Sequence, residues 1–273
     1  MLDKNKQDIL ALFKKYRIIE RFEKMSPLSA FVAGSIYEGF GNRRSDLDVF
    51  LVVDYFDFSI LEQFVLDNNK FSLYKAGKKV ILTVTENEKD FDVELHLKDN
   101  ISFYCKRIND LKMSPENIYY DFFHRLKFAE PVFGEDWFYD LKETLNYQHF
   151  NLLSPLTYQM QYGLKVTDIL GEFEQENFIT SYRNAMLLLE DCINSFLSLH
   201  GETNPKKKWL IKKIQRFSLQ NPESEFDLLK ILDSSYQNVN LFDDLGLKAK
   251  TLDIMRQCQK LNYACEKLVS EVQ

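Results

Sequence analysis

The residue types best suited to chemistry cluster early in the chain. Gly34-Ser35 is followed, after ten residues, by Asp46-Leu47-Asp48. Three of the nine glycines fall between 34 and 41, in a chain otherwise poor in glycine. A Gly-Ser turn that ends a strand and opens a short helix leaves backbone N–H groups and a hydroxyl for phosphate oxygens. Asp46 and Asp48 are two apart on extended chain, so both side chains leave the same face. Carboxylates so placed repel each other, and a divalent cation between them removes the repulsion. Mg2+ takes such oxygen ligands, and Mn2+ fits the same set. A third carboxylate from a neighbouring strand would complete a two-metal site. Phe91-Asp92-Val93-Glu94-Leu95 offers Asp92 and Glu94 on one polar face. Arg43 and Arg44, just before the aspartates, either approach a triphosphate or are solvated loop charges. Ser45 beside them is a further candidate phosphate contact.

This constellation resembles the nucleotidyltransferases of the DNA polymerase β superfamily. Their signature is a hydrophobic-Gly-Ser turn, an Asp-x-Asp, and a later carboxylate between apolar residues. The resemblance spans 30–97 at motif level and is carried by Ala33-Gly34-Ser35, Asp46-Leu47-Asp48 and the 91–95 segment. For the third carboxylate, Phe91-Asp92-Val93 fits the commoner pattern and Val93-Glu94-Leu95 an acidic variant, so Asp92 is favoured and Glu94 stays open. The resemblance implies transfer of a nucleoside monophosphate from an NTP, ATP being favoured, to an acceptor hydroxyl with release of pyrophosphate. Two Mg2+ ions would be held by Asp46, Asp48 and the third carboxylate, and Gly34 and Ser35 would grip the phosphates. Replacing either Asp46 or Asp48 by Asn is then expected to abolish turnover and leave the fold stable, because one of two repelling charges is gone.

These residues need strands and turns to position them. Residues 3–24 repeat apolar positions at helical spacing and end at Ser26-Pro27. Strands are expected at 29–34 and 48–53, a helix at 58–66, and strands at 71–74, 79–84 and 91–97. In the last, Asp92, Glu94 and His96 leave one face; without the upstream motif they would read as a solvent face. From about 116 onward every pattern is helical: 116–129, 136–147, 155–171, 179–200, 206–218, 224–236 and 246–270. The expected fold is α+β, with a nucleotidyltransferase domain at 1–145 and a helical acceptor-binding domain at 146–273. Residues 126–134 look like the inter-domain bend of such enzymes and equally read as an ordinary helix end.

That order is similar to aminoglycoside and lincosamide (kanamycin-type) nucleotidyltransferases, which pair such a domain with a helical bundle. The similarity implies that Lys208 lies near the nucleotide phosphates. It also implies a general base on the helical domain, for which Glu190 is the first candidate and Glu202 the second.

Composition narrows the partners. The 273 residues carry 35 basic and 41 acidic side chains, a net charge of −6, which disfavours sequence-independent grip on nucleic acid. A small hydroxylated acceptor such as an antibiotic is therefore preferred to a tRNA end or a protein hydroxyl. The latter rests on Lys206, Lys207, Lys208, Lys212, Lys213 and Arg216, which also read as a solvated helix face. A catalytically inactive nucleotide-binding or partner-binding protein is the third reading. The four histidines and four cysteines show no metal spacing. No apolar run approaches membrane-spanning length and no leader is visible, so a cytoplasmic protein is expected. The oligomeric state is open, a homodimer included.

Overall fold

In the computed structural model, which describes residues 2–237 and 239–272, the apolar runs of the first half pair into one sheet. The helix expected over 3–24 is broken. α1 (Leu2–Tyr16) stops where Arg17 turns left-handed at φ 52°, and α2 (Ile18–Arg21) and a 3-10 turn follow. Next come β1 (Pro27–Ala33), β2 (Leu47–Val53), α3 (Phe58–Asp67), β3 (Ser72–Ala76), β4 (Lys79–Glu86) and β5 (Lys89–Leu97). α4 (Lys98–Asn109) continues directly from β5, a helix absent from the sequence reading. α5 (Ile118–Leu126), β6 (Glu130–Phe133) and α6 (Glu135–Thr144) complete this half. The segment expected to be a bend thus contains a strand, which pairs antiparallel with β1. β6 is an edge strand, where Pro131 costs no ladder hydrogen bond.

The strand order is β3-β4-β5-β2-β1-β6, with β2 and β5 parallel at the centre and the other pairs antiparallel. Register places the site. Ser72, Thr83, Asp92, Asp48 and Ala33 oppose one another in a row across five strands. The next row on that face holds Tyr74, Ile81, Glu94, Phe50 and Phe31. Gly34 follows Ala33 at the end of β1, so the turn and the aspartates meet at one end of the central strands.

Both faces are covered. On one, Val49, Leu51, Val93, Leu95 and Leu82 pack with Ile9 and Leu12 of α1 and Leu61 and Phe64 of α3. On the other, Phe31 stacks on Phe50 at 5.2 Å, and Phe122 of α5 meets both rings edge-on. His96 lies in the same layer, 4.9 Å from Phe122. β5 is therefore buried on both faces from Val93 to His96, and its polar face is not a solvent face.

The chain divides into two compact units: Met1–Asp110 with Ile118–Asn146, and Leu111–Asn117 with Tyr147–Gln273. The second is all-helical, built on α7 (Tyr147–Glu174), α8 (Phe178–Leu199), α9 (Leu210–Gln220), α10 (Leu228–Tyr236) and α11 (Asp244–Val272). Its core gathers Leu189, Cys192 and Ile193 of α8 with Ile254, Cys258 and Leu261 of α11. α7 runs through Pro155, where the sequence suggested a helix start. Proline has no N–H to give the carbonyl four residues back, and here Ser198 Oγ donates to that carbonyl, Asn151 O, at 2.9 Å. All four cysteines are buried and reduced. No helix among the described residues is long and apolar enough to cross a membrane.

Candidate active site

Asp46, Asp48 and Asp92 converge: each offers a carboxylate oxygen, and these atoms lie within 4.8 Å of one another. Asp46 stands in the loop just before β2, Asp48 on β2 and Asp92 opposite it on β5. Burial and then the charges of Asp46 and Asp48 push the Asp92 carboxyl up to about 6 from an ordinary value of 3.8. The set is hard, oxygen-only and electrostatically uncomfortable, which fits Mg2+ or Mn2+. These are the residues that would hold such an ion. Among the described residues, no histidine or cysteine joins a group of this kind.

Glu94 does not belong to that group. It is 5% exposed, accepts from Lys79 Nζ, and lies 3.3 Å from His96 Nε2 and 3.5 Å from Arg125 Nη1. Burial favours its neutral form, but His96, Arg125 and Lys79 together hold it well below the usual carboxylate range. An ionised carboxylate only accepts, so His96 Nε2 must carry the proton. Burial keeps that imidazole neutral, against the pull of Glu94. Glu94 is engaged in this internal network and stands outside the acidic group, where Asp92 takes the third place.

Arg125 was not singled out from the sequence. Its Nη1 donates to Asp48 Oδ1 at 2.8 Å and its Nη2 lies 2.9 Å from Asp121 Oδ2, one helical turn back. Its guanidinium carbon is 5.5 Å from the Phe50 ring centroid. The charge on Asp48 is therefore already met, and the unrelieved repulsion sits on Asp92. The expectation that Asp48→Asn leaves the fold untroubled is corrected accordingly.

The residues after Gly34 form a compact turn rather than the expected short helix. Glu38 N–H reaches Gly34 O at 3.0 Å, and both Phe40 and Gly41 donate to Ser35 O. Gly34 has φ 88°, and a Cβ there would stand 1.9 Å from Asp48 Oδ2. Only glycine lets the turn pass the Asp48 carboxylate that closely. From α5, buried His124 places Nε2 3.1 Å from Glu38 Oε1 of the turn, and the next residue, Arg125, pairs with Asp48. Ser45 Oγ accepts from Asn42 N–H and Asn42 Oδ1 from Arg44 N–H, which fixes the loop before Asp46. Arg44 lines a cleft of roughly 470 Å3 together with Lys70, Thr83, Thr85, Asp46 and Asp92.

The remaining candidates belong to the second unit. Glu190, on α8, accepts from Tyr236 Oη at 3.0 Å. Lys208 is exposed, with Nζ 4.9 Å from the Trp209 ring centroid. Glu202 forms a forked pair with Arg216, both contacts 2.5 Å. Lys213 is 2% exposed and donates to Asn194 Oδ1 and Asn204 O. Lys213 and Arg216 are thus engaged inside this unit and do not belong to a solvated face.

No family model and no curated protein matches the chain. A solved structure of a nucleotidyltransferase-like protein from Exiguobacterium sibiricum 255-15 is similar over 98% of this chain and 79% of that one, with a TM-score of 0.50 and 13% identity. The fold is nucleotidyltransferase-like. At that identity the likeness concerns architecture, and function has to be argued from the site.

Proposed function

We propose that the protein is a nucleotidyltransferase that moves a nucleoside monophosphate from an NTP, ATP being the favoured donor, to a hydroxyl of a small acceptor of the antibiotic type. The observation that carries this reading is the meeting of Asp46, Asp48 and Asp92 beside the Gly34-Ser35 turn, on a nucleotidyltransferase-like fold. Asp46, Asp48 and Asp92 would hold the divalent ions, two Mg2+ in this reading. When bound, these supply charge stabilisation for the leaving pyrophosphate and lower the pKa of the attacking hydroxyl.

The chain's own residues do the rest. Gly34 lets the turn lie against Asp48, and Ser35 Oγ is assigned to a phosphate oxygen. Arg44 is assigned to the triphosphate from the rim of its cleft, over a loop that Ser45 holds in shape. Glu190 is proposed to take the proton from the acceptor hydroxyl and Lys208 to approach the phosphates. Both assignments rest on the kanamycin-type resemblance.

The test uses α-labelled NTPs, Mg2+ and a panel of hydroxylated small molecules, tRNA and protein. Label on a small molecule, lost in Asp46→Asn, supports the reading. Label on tRNA or protein transfers the chemistry to a macromolecular acceptor. Pyrophosphate release that survives Asp46→Asn overturns the assignment of the site.

A further inference from the structure

Arg125 stands in an unusual place for a cation. Its side chain is 10% exposed and its Nη1 is 2.8 Å from Oδ1 of Asp48, one of the three aspartates of the acidic group. It does not depend on Asp48 to stay there. Nη2 is anchored 2.9 Å from Asp121 Oδ2, and Nη1 is 3.5 Å from Glu94 Oε1. A guanidinium cannot shed its proton at physiological pH, so this charge is permanent. Asp46 and Asp92 complete the acidic group, while Arg125 touches one member only.

We propose that Arg125 is a resident counter-ion which a divalent cation has to displace from Asp48, so that its grip sets the affinity of the acidic group for metal alone. The inference rests on the nucleotidyltransferase reading and adds a regulatory element to it. With Arg125 in place, the carboxylates can be brought together without metal, and bare metal binds weakly. Metal carried on a polyphosphate brings further oxygen ligands and is disfavoured less. A unit charge about 5 Å from a divalent ion costs roughly tenfold in affinity even at the dielectric of water.

The probe is Mn2+ alone, titrated without nucleotide and followed by the electron paramagnetic resonance of the free ion. Arg125→Gln is expected to bind Mn2+ about tenfold more tightly than the unmodified protein. Arg125→Lys keeps the charge, but its compact ammonium cannot fork to Asp121 and Asp48 together, so it is expected to bind about threefold more tightly. Thermal melts establish that each variant is folded, and Arg125→Lys decides the matter if Arg125→Gln is not. Binding in both folded variants that is equal to or weaker than in the unmodified protein overturns the inference and leaves Arg125 as a support for the geometry of Asp48. Asp46→Asn separates the two levels. If Mn2+ binding ignores that substitution, the metal-site reading fails together with the inference. If binding requires Asp46 and Arg125 variants are no tighter, only the inference fails.

Discussion

Asp92→Asn should stabilise the metal-free protein, against the usual direction for a change beside a core. The carboxyl is raised from 3.8 to about 6 by burial and by Asp46 and Asp48. A rise of roughly two units corresponds to about 3 kcal/mol. Asp92 is only part-buried, and screening by solvent brings the usable figure to about 1–2 kcal/mol. The sign follows from linkage. The folded state prefers neutral Asp92, so the favourable contribution is complete below the unfolded value near 3.8 and is lost as pH rises through about 6. At pH 7.5 the native carboxylate carries the whole penalty and the amide carries none. Thermal unfolding in a chelator, followed by calorimetry from pH 4.5 to 8, should show the variant melting about 3–6 °C higher at pH 7.5, with the gap closing toward pH 4.5. A variant that is less stable at every pH would refute the reasoning, because it would mean that the Asp92 carboxylate is supported rather than repelled by its surroundings.

Other perturbations separate the parts of the site. Asp48→Asn breaks a buried pair and leaves Arg125 without its closest acceptor, so it should cost about 3 kcal/mol in urea unfolding, the opposite sign to Asp92→Asn. Gly34→Ala drives a methyl into Asp48 Oδ2 from a left-handed backbone. It should lower stability by at least ~2 kcal/mol and abolish Mn2+ binding in the same titration. Ser35→Ala should weaken NTP binding by about 1.5–3 kcal/mol in calorimetry, and an unchanged affinity would remove Ser35 from the phosphate site. Ser198→Ala orphans Asn151 O and should cost about 1–2 kcal/mol, but much less in a Pro155→Ala background that restores the helical N–H. Additive losses in that double-mutant cycle would contradict the role given to Ser198.

The spacing of Gly34, Asp46 and Asp48 was readable because extended chain alternates and glycine takes a left-handed turn without the strain other residues bear. What alternation could not supply was the covering layer. Asp92 and Glu94 share a face and differ by one row, yet Glu94 lies under α5 while Asp92 sits at the open end of the strand. That difference depends on Lys79 and Arg125, which register and packing bring close. Arg125 did leave a trace: it is three residues after Phe122 and four after Asp121, on the buried stripe of a short aromatic helix. A lone charge in such a stripe has a partner to find. β6 was hidden because four residues with a proline carry no strand periodicity. The unbroken α7 was hidden because Pro155 reads as a start unless a distant hydroxyl satisfies Asn151 O.

The split of α5 between the Gly34–Gly41 turn and Asp48 has a consequence for the order of events during synthesis. Chain emerges from the N-terminus, so β1, β2 and β5 are available before the helix that carries His124 and Arg125. Until α5 docks, Asp46, Asp48 and Asp92 face one another without the Arg125 guanidinium. A nascent chain halted before residue 118 therefore lacks the guanidinium that meets Asp48, and α5 completes the electrostatics as well as the core.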